Sequence, residues 1–419
     1  MIIPVPEQSY LPRHLRGALE AALADTPVVC LLGPRQCGKS TLSRHCEPGR
    51  YYVSLDDKAY LDLAMTDPQG FVDDLPEKVA IDEVQRAPEL SLAIKRSVDA
   101  NRKPGRFLLT GSANLLQLPR LADSLAGRME CLYLHPLIIS EIRSSPGRFL
   151  AEFMAGNLTP KITASGTPRP SELPGLLVAG GYPESIKRDL ERADRWKRNY
   201  VQSIVERDIR DIAEVKDGSD LIRLLSFLES RTGQLLNQSA LSQVLGHSRA
   251  TVDRYLTLLE RLFLIRLLPA WHNNRSKRLV KTPKIHFVDS GLAATLGELD
   301  PRNWNGERSR FGHLLESFVL QQLIAMADCM PRSPRFYHYR DRDKTEVDIV
   351  IESRQKIWGV EIKAGSSVSR DDAKGLLKLA SIAGERFQAG IVFYDGEAIL
   401  PLYKEMGILA VPISKLWEL

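Results

Sequence analysis

Residues 28–40 read VVCLLGPRQCGKS, an apolar run followed at once by a complete G-x-x-x-x-G-K-[ST] loop. When a buried strand delivers such a loop, backbone N–H groups curl round phosphates and the next helix turns its positive N-terminus toward them. The sequence therefore predicts a nucleoside triphosphate site rather than a chance glycine-rich turn. The predicted lining residues are Gly33, Pro34, Arg35, Gln36, Cys37, Gly38, Lys39, Ser40 and Thr41.

Four polar residues are predicted to supply the chemistry at this site. Lys39 is expected to reach the β- and γ-phosphates, and Ser40 is expected to bind Mg²⁺. Hydrolysis also needs a carboxylate near the metal ion and a group that activates water, and VAI at 79–81 leads directly into Asp82 and Glu83. We predict that Asp82 holds Mg²⁺ through water and that Glu83 polarises the attacking water. Solvated acids at an ordinary strand end are the alternative.

Three further residues are candidates for contact with a γ-phosphate. The apolar segment 106–112, RFLLTGS, ends in hydroxyl residues, of which Ser112 is the preferred γ-phosphate sensor and Thr110 the alternative. Downstream, Arg128 is a candidate arginine finger for a neighbouring subunit's nucleotide. An ordinary surface arginine is the competing interpretation.

Four motifs together resemble the AAA+ ATPases of the archaeal-ATPase-like group. They are GPRQCGKST at 33–41, IDE at 81–83 with Gln85, LTGS at 109–112 and GGYP at 180–183. The resemblance implies an AAA+ core with a helical lid, a preference for ATP over GTP, and a biological role that varies across the group. It also implies a C-terminal domain of unknown function related to restriction endonucleases. A ring or smaller homo-oligomer is one implied assembly, and a monomer is the alternative.

Length and composition agree with a protein of several globular domains. The chain has 419 residues, of which 43% are hydrophobic and 26% charged, so disordered and fibrous classes are excluded. No apolar run approaches the roughly 18 residues of a membrane span, and residues 1–7 lack the features of a signal peptide, so we expect a cytoplasmic protein with no membrane partner. The net charge of +5 permits a nucleic acid partner without requiring one.

We predict an α/β protein with a parallel-sheet P-loop AAA+ core and helical lid, a winged helix-turn-helix and a restriction-endonuclease-like α/β domain. A stretch crowded with Gly, Pro, Ser and Thr reads as a linker or long loop after the core. The predicted boundaries are 1–154 for the core, 155–174 for the linker or long loop, 175–230 for the helical lid, 231–290 for the winged helix-turn-helix and 291–419 for the C-terminal domain.

The winged helix-turn-helix is predicted from two short helical patterns within 234–268, followed by apolar strands at 263–269 and 279–288. In a DNA complex, Arg249 and Arg254 would face the major groove. The basic residues expected to touch phosphates are Arg275, Lys277, Arg278 and Lys281. Many winged helices dock on proteins instead, and a protein partner is the alternative, but the clustered basic residues favour DNA.

A second set of charged residues lies in the C-terminal part, where Glu316 falls on a predicted helix and Asp348 and Glu361 on a predicted strand pair. Period-two alternation places Glu361 and Lys363 on one strand face. Hard carboxylate oxygens suit Mg²⁺, so Asp348 and Glu361, with help from Glu316, are predicted to bind it. Lys363 would orient water or neutralise developing charge. The role of Glu346, which alternates with Asp348, stays open.

This set resembles the PD-(D/E)xK site of the restriction-endonuclease-like superfamily. Valine precedes Asp348 where the superfamily pattern has proline, which leaves cleavage open, and Glu-x-Lys on an exposed strand also occurs by chance. The preferred function is Mg²⁺-dependent ATP hydrolysis that controls a nucleic-acid-directed, nuclease-like module. The alternatives are a nucleotide-switched interaction scaffold with an inactive nuclease-like fold, and an AAA+ remodeller that acts on protein.

Overall fold

The computed structural model describes residues 10–111, 125–161, 171–212, 218–274, 278 and 281–419, with side chains described for all of these except 207–212. The chain forms two compact units. The first, here the P-loop unit, consists of residues 12–137 and 261–263. The second, here the C-terminal unit, consists of the remaining residues. No helix of the described ranges has both the length and the apolar character needed to cross a bilayer.

The P-loop unit is built on a five-stranded sheet in the order β2-β3-β4-β1-β5, and its strand pairs are parallel. Its strands are β1 Val28–Leu32, β2 Tyr51–Ser54, β3 Val79–Asp82, β4 Phe107–Gly111 and β5 Met129–Tyr133. Its helices are α1 Arg16–Asp25, α2 Lys39–His45, α3 Lys58–Thr66, α4 Pro68–Asp73 and α5 Leu90–Ala100, with a 3-10 turn at Val84–Arg86. Every residue of β1, β3 and β4 is buried, as their apolar sequences require in a parallel sheet. The predicted parallel core is confirmed, and the carboxyl ends of these three strands lie side by side.

The C-terminal unit begins with helices. They are α6 Ile139–Ile142, α7 Phe149–Ala155, α8 Leu173–Ala179, α9 Pro183–Ile186, α10 Leu190–Ile212, α11 Ser219–Glu229, α12 Gln238–Leu245, α13 Arg249–Arg261, α14 Ser290–Leu296, α15 Arg308–Asp328, α16 Lys374–Ala383 and α17 Lys415–Glu418. The linker predicted at 155–174 extends too far, because α8 begins at Leu173 and both Leu173 and Pro174 are buried. Within that linker, residues 162–170 lie outside the described ranges.

The GGYP motif packs the end of α8 against the start of α14. Gly180 has φ 68°, and a Cβ there would lie 2.4 Å from Asp289 Oδ1. The N–H of Gly181 donates to Asp289 Oδ2 at 2.7 Å, while Oδ1 caps α14 by accepting from Leu292 N at 2.9 Å. A side chain at position 180 would therefore collide with a helix cap. These contacts give the motif a structural role.

Helices α12 and α13 lie in the segment for which a helix-turn-helix is predicted. Asn237 caps α12 by accepting from Ala240 N, and Gly246 ends that helix at φ 68°. Two antiparallel strands follow, β6 Ile265–Leu268 and β7 Lys284–Phe287. Strand β7 is shorter than the strand expected at 279–288, and the winged helix stays a prediction.

A mixed six-stranded sheet, in the order β12-β13-β11-β10-β9-β8, forms the rest of the C-terminal unit. Its strands are β8 Arg335–Arg340, β9 Glu346–Ser353, β10 Lys356–Ile362, β11 Phe387–Tyr394, β12 Leu400–Tyr403 and β13 Ile408–Pro412. The described 3-10 turns of this unit include Pro301–Asn303, Arg370–Ala373, Gly384–Arg386 and Lys404–Met406. Strands β9 and β10 form an antiparallel hairpin. Gly359 of β10 lets α16 approach the sheet, because a Cβ there would lie 2.5 Å from Leu376 Cδ2.

Candidate functional site

The phosphate loop after β1 has a backbone that only glycine can adopt at two positions. Gly33 has φ 153°, and a Cβ there would lie 2.1 Å from the carbonyl oxygen of Leu134. Gly38 has φ 105° immediately before α2. The thiol of Cys37 also donates to the Leu134 carbonyl at 3.4 Å. The loop is therefore held tightly in a shape that side chains at its glycines would prevent.

Lys39 points back into this loop. Its Nζ donates to the carbonyl oxygens of Gly33 at 2.9 Å and Pro34 at 2.7 Å, and the residue is buried. The ammonium is bonded to neutral carbonyls, so its full positive charge is available to a phosphate group. Ser40, next in α2, donates its hydroxyl to Asp82 Oδ2 at 2.8 Å.

Asp82, at the end of β3, accepts hydrogen bonds from hydroxyl groups on three different elements. Besides Ser40, Tyr52 of β2 donates to Oδ2 at 2.5 Å, and Thr110 of β4 donates to Oδ1. Hydroxyl donors carry no net charge, so the carboxylate keeps its negative charge. The oxygens of Ser40 and Asp82 are the hard ligands that Mg²⁺ prefers, and this pair fits such an ion.

Glu83 is held in an uncommon backbone conformation, with φ 58°. Its side chain accepts a hydrogen bond from Gln85 Nε2, and its N–H lies 3.4 Å from Thr110 Oγ1. A left-handed non-glycine residue beside a binding site is a strained feature of the kind that clusters at functional positions. Thr110, the alternative sensor, therefore lies at this site, and Ser112, the preferred sensor, lies outside the described residues.

Sequence reasoning missed three residues around the loop. Arg13 is buried and donates to the carbonyl oxygens of Cys37 at 2.8 Å and His135 at 2.6 Å, so it braces the loop. Tyr52 bonds Asp82, and the guanidinium of Arg44 lies 4.1 Å from the centre of the Tyr52 ring. Burial and the bond to Asp82 raise the pKa of the Tyr52 phenol, which keeps it a hydrogen-bond donor. No short sequence motif identifies these three residues as part of the site.

Arg128, the candidate finger, is paired within its own unit. Its Nε lies 2.5 Å from Asp99 Oδ1 and its Nη2 lies 3.0 Å from Asp99 Oδ2. A finger role would require this bidentate pair to open first.

In the C-terminal unit the three predicted metal ligands do come together. Glu316 projects from α15, Asp348 from β9 and Glu361 from β10, and all three side chains are largely buried. Lys363 follows β10 directly, and its Nζ lies 3.6 Å from Glu361 Oε2. Glu346, whose role the sequence leaves open, also joins this carboxylate cluster through the cation described next.

That cation is Lys284 of β7, a residue for which the sequence predicts no role at this site. Its Nζ lies 3.1 Å from Glu316 Oε2, 3.3 Å from Asp348 Oδ1 and 3.5 Å from Glu346 Oε1. Only 1% of Lys284 is exposed. Among the described residues, no group of three or more His, Cys, Asp or Glu side chains is arranged to hold a metal ion. The cluster, with an ammonium at its centre, does not fit Mg²⁺ in this form.

The electrostatics of the cluster agree with an internal cation. Burial opposes the charged form of Lys284, but the carboxylates of Glu316, Asp348 and Glu346 outweigh it and raise its pKa. Burial and the nearby Asp348 charge raise the pKa of Glu361 well above its usual range. Burial and the Lys284 charge lower the pKa of His338 to about 4. Lys284 is therefore charged at neutral pH, and its charge contributes to the pKa shifts of neighbouring groups.

The basic residues predicted around the winged helix have different surroundings. Arg249 and Arg254 are exposed on α13, and Arg249 donates to Ser239 Oγ at 2.6 Å. Arg278 was expected to contact phosphate, and that prediction is wrong. It is buried and bonds both carboxylate oxygens of Glu352, at 2.5 and 3.2 Å. Lys281 Nζ lies 3.4 Å from the Arg340 carbonyl oxygen. The remaining two, Arg275 and Lys277, lie outside the described residues.

Three protein families match successive parts of the chain. Residues 25–143 match a family described as AAA domain. Residues 171–303 and 311–416 match two families described as domains of unknown function, DUF8612 and DUF4143. The residues of the phosphate loop and of Asp82 fall in the first match, and those of the carboxylate cluster fall in the other two.

Two relatives of this chain are described as uncharacterized proteins. The uncharacterized protein Rv2008c of Mycobacterium tuberculosis is 30% identical over 409 residues, which cover 96% of this chain and 84% of that protein. An uncharacterized protein of Haemophilus influenzae is 30% identical over 269 residues, 61% of this chain and 58% of its own length. Among solved structures, a Walker-type ATPase of Pyrococcus abyssi aligns with a TM-score of 0.42 and 15% identity, covering 71% of this chain and 99% of that one.

Proposed function

The chain belongs to the same family as the mycobacterial protein Rv2008c and carries an AAA-type P-loop ATPase domain, and from this premise we propose that it is a Mg²⁺-dependent ATPase whose nucleotide state controls its C-terminal unit. The observation that carries the proposal is the set of contacts around Asp82. The Ser40 hydroxyl and the Asp82 carboxylate are 2.8 Å apart, beside a loop that encloses the Lys39 ammonium. Glu83 adjoins them at the end of β3.

Each residue of this set has a role in the proposal. Lys39 would bind the β- and γ-phosphates, and Ser40 and Asp82 would hold Mg²⁺, which neutralises phosphate charge when bound. Glu83 would accept a proton from water, and Gln85 would keep its carboxylate oriented. Thr110, bonded to Asp82, would report the state of the γ-phosphate to β4.

Phosphate release from ATP, with and without Mg²⁺, tests the proposal in the wild type and in Lys39→Ala. We expect Mg²⁺-dependent turnover in the wild type and none in the variant. A folded wild type that binds no ATP and releases no phosphate would overturn the proposal. The same assay with GTP tests the nucleotide preference.

Nucleic acid, with DNA favoured, is the proposed partner of the C-terminal unit. Support comes from Arg249 and Arg254, which are exposed on the second helix of the helix-turn-helix pattern. Labelled duplex DNA should bind the wild type with an affinity that changes when ATP is added. In the double variant Arg249→Ala/Arg254→Ala, the affinity for duplex DNA should fall by at least about tenfold, because each lost major-groove contact costs about 1–3 kcal/mol of binding free energy.

The matched control is Arg302→Ala, since Arg302 is exposed and paired only with Asp300 of its own turn. It should leave DNA binding unchanged. Equal DNA binding with and without ATP would contradict the coupling, and equal loss in the control would contradict the assignment to α13.

The second candidate is a nucleotide-switched interaction scaffold with an inactive nuclease-like fold. The position of Lys284 among the carboxylates favours it, because a nuclease of this type needs a divalent cation at that place. Incubation of single- and double-stranded DNA and RNA with Mg²⁺ separates the two candidates. Cleavage that is lost in Lys363→Ala would favour the nuclease, and no cleavage despite ATP turnover would favour the scaffold.

A further inference from the structure

The carboxylate cluster in the C-terminal unit already has a donor for each oxygen of three of its side chains. One oxygen each from Glu316, Glu346 and Asp348 lies within 3.5 Å of Lys284 Nζ. An ammonium group has three N–H donors, so three acceptors match its capacity.

The second oxygen of each of these carboxylates has another partner. Glu316 Oε1 lies 3.4 Å from His313 Nδ1, Glu346 Oε2 lies 2.9 Å from Arg340 Nη1, and Asp348 Oδ2 accepts from the N–H of Ile362 at 3.0 Å. All six oxygens are therefore engaged. A divalent ion would have to share these oxygens with donors that are already in place, one of which is the Lys284 ammonium.

The backbone fixes Lys284 in this position. Strand β7 pairs with β6 on one side, where Lys284 lies opposite Leu268, and bridges to Leu235 on the other. Gly233 brings α15 close, because a Cβ at that glycine would lie 3.1 Å from Glu316 Oε2. Strand pairing therefore holds the main chain from which the Lys284 side chain projects into the cluster.

Charge is also balanced within the cluster. Its four carboxylates, Glu316, Glu346, Asp348 and Glu361, are in contact with three permanent cations, Lys284, Arg340 and Lys363. Burial and the Asp348 charge raise the pKa of Glu361 well above its usual range, which opposes a full fourth negative charge. An added divalent ion would leave a buried excess of positive charge.

We propose that Lys284 is a built-in cation that replaces a metal ion in this cluster, and that removal of its ammonium uncovers a divalent-cation site formed by Glu316, Glu346 and Asp348. The native cluster then holds β7, α15 and β9 together as an ion network. The acidic residues expected for a nuclease are retained, but their counter-ion is part of the chain. This inference concerns the C-terminal unit alone and does not depend on ATP hydrolysis.

Mn²⁺ binding to the full chain, followed by electron paramagnetic resonance of free Mn²⁺, tests the proposal. All proteins in the test carry Asp82→Asn, so that the nucleotide site does not contribute. The variants are Lys284→Ala, Lys284→Ala/Asp348→Asn and the control Lys281→Ala. Lys281 suits this purpose because it is a lysine three positions earlier whose Nζ bonds a carbonyl rather than the cluster.

We expect no Mn²⁺ site in the Asp82→Asn parent or in the Lys281→Ala control, and one Mn²⁺ per chain in Lys284→Ala. The acquired site should disappear when Asp348→Asn is added. If Lys284→Ala is unfolded without metal, Mn²⁺ should restore its thermal unfolding transition. A parent that binds one Mn²⁺ in an Asp348-dependent way would overturn the proposal. A folded Lys284→Ala that gains no site, or one that Mn²⁺ does not refold, would overturn it as well.

Discussion

Asp82 in the P-loop unit and Asp348 in the C-terminal unit are both buried strand carboxylates, yet their hydrogen-bond donors differ in charge. Asp82 accepts from the hydroxyls of Ser40, Tyr52 and Thr110. Asp348 accepts from the Lys284 ammonium and a backbone amide. Neutral donors leave a carboxylate free to attract a cation, whereas an ammonium has already neutralised it. The residue types alone therefore do not distinguish a metal site from a structural ion network, and the donors do.

The size of this difference can be estimated from Coulomb's law. A divalent ion about 4 Å from the Lys284 ammonium would be repelled by about 8 kcal/mol at an effective dielectric constant of about 20. No such repulsion acts at Asp82 through its donors, because all three are uncharged. We therefore expect substitutions of the charged side chains around Asp82 and around Asp348 to have opposite effects.

The largest expected effect concerns Glu83, which lies next to Asp82 and is proposed to accept a proton from water. Glu83→Gln should lower the rate of ATP hydrolysis by about 10²–10⁴-fold, because the amide cannot accept a proton from water. Nucleotide binding should persist, since the loop and Asp82 are unchanged. Phosphate release and binding of a fluorescent ATP analogue measure the two properties.

The control is Glu77→Gln, two residues before β3, where the side chain is 55% exposed and paired with Lys103. It should hydrolyse ATP like the wild type. Hydrolysis by Glu83→Gln within a few-fold of the wild-type rate would remove Glu83 from the catalytic role.

Local sequence was sufficient for the phosphate loop because its function depends on consecutive backbone groups. The parallel core was predictable for a similar reason, because each of its buried strands is a continuous apolar run in the sequence. Tyr52 and Lys284 were not predictable from sequence. Tyr52 meets Asp82 across 30 positions and Lys284 meets Asp348 across 64, so only the folded chain brings them together.

The errors have related causes. Arg278 follows a basic stretch and therefore resembled a phosphate contact, but its guanidinium finds Glu352 across 74 positions and is buried with it. The linker was assigned from its Gly, Pro and Ser content, which does not reveal that Leu173 and Pro174 pack inward. The Gly, Pro and Ser content of a segment indicates where helices and strands are disfavoured. Whether a residue is buried depends instead on residues that are far away in the sequence.

The same substitution at a buried lysine of each unit, Lys39 and Lys284, tests the comparison directly. Lys284→Met should lower the free energy of unfolding by about 3–5 kcal/mol, because it leaves the largely buried carboxylates of Glu316 and Asp348 without their cation. Lys39→Met, measured without nucleotide, should cost only about 1–3 kcal/mol, because it removes bonds to two neutral carbonyls. Urea denaturation, followed by signals that separate the two units, measures both values. If Lys284→Met were as stable as Lys39→Met, the ion network would have no structural role.

His338 provides a smaller, pH-dependent effect of the same cation. Burial and the Lys284 charge lower its pKa to about 4 in the folded protein, compared with about 6.5 when unfolded. Between these values the unfolded chain binds more protons, so stability rises with pH from about 4 to about 6.5 and is then constant. The contribution is at most about 3 kcal/mol.

Nuclear magnetic resonance titration of His338 measures this directly. In Lys284→Met the His338 pKa should move upward, toward 6.5, and the acid limb of the stability curve should move with it. The resonance of His45, which lies in the P-loop unit, is the control and should titrate identically in both proteins. An unchanged His338 pKa would mean that Lys284 does not carry its charge close to this ring.

The smallest expected effect concerns a neutral donor. Tyr52→Phe removes the hydroxyl that bonds Asp82 Oδ2, which Ser40 also bonds, and such a bond contributes about 1 kcal/mol. Asp82 would be less firmly oriented, so the Mg²⁺ concentration for half-maximal ATP hydrolysis should rise about fivefold while the maximal rate stays nearly unchanged. Arg44→Ala, which removes the stacked guanidinium but keeps the hydroxyl, is the control and should have a smaller effect. A decrease in the Mg²⁺ concentration for half-maximal hydrolysis would mean that Tyr52 competes with the metal ion for Asp82, as Lys284 does for Asp348. In that case the neutral donor would act like the charged one, and the contrast between the two sites would fail at this residue.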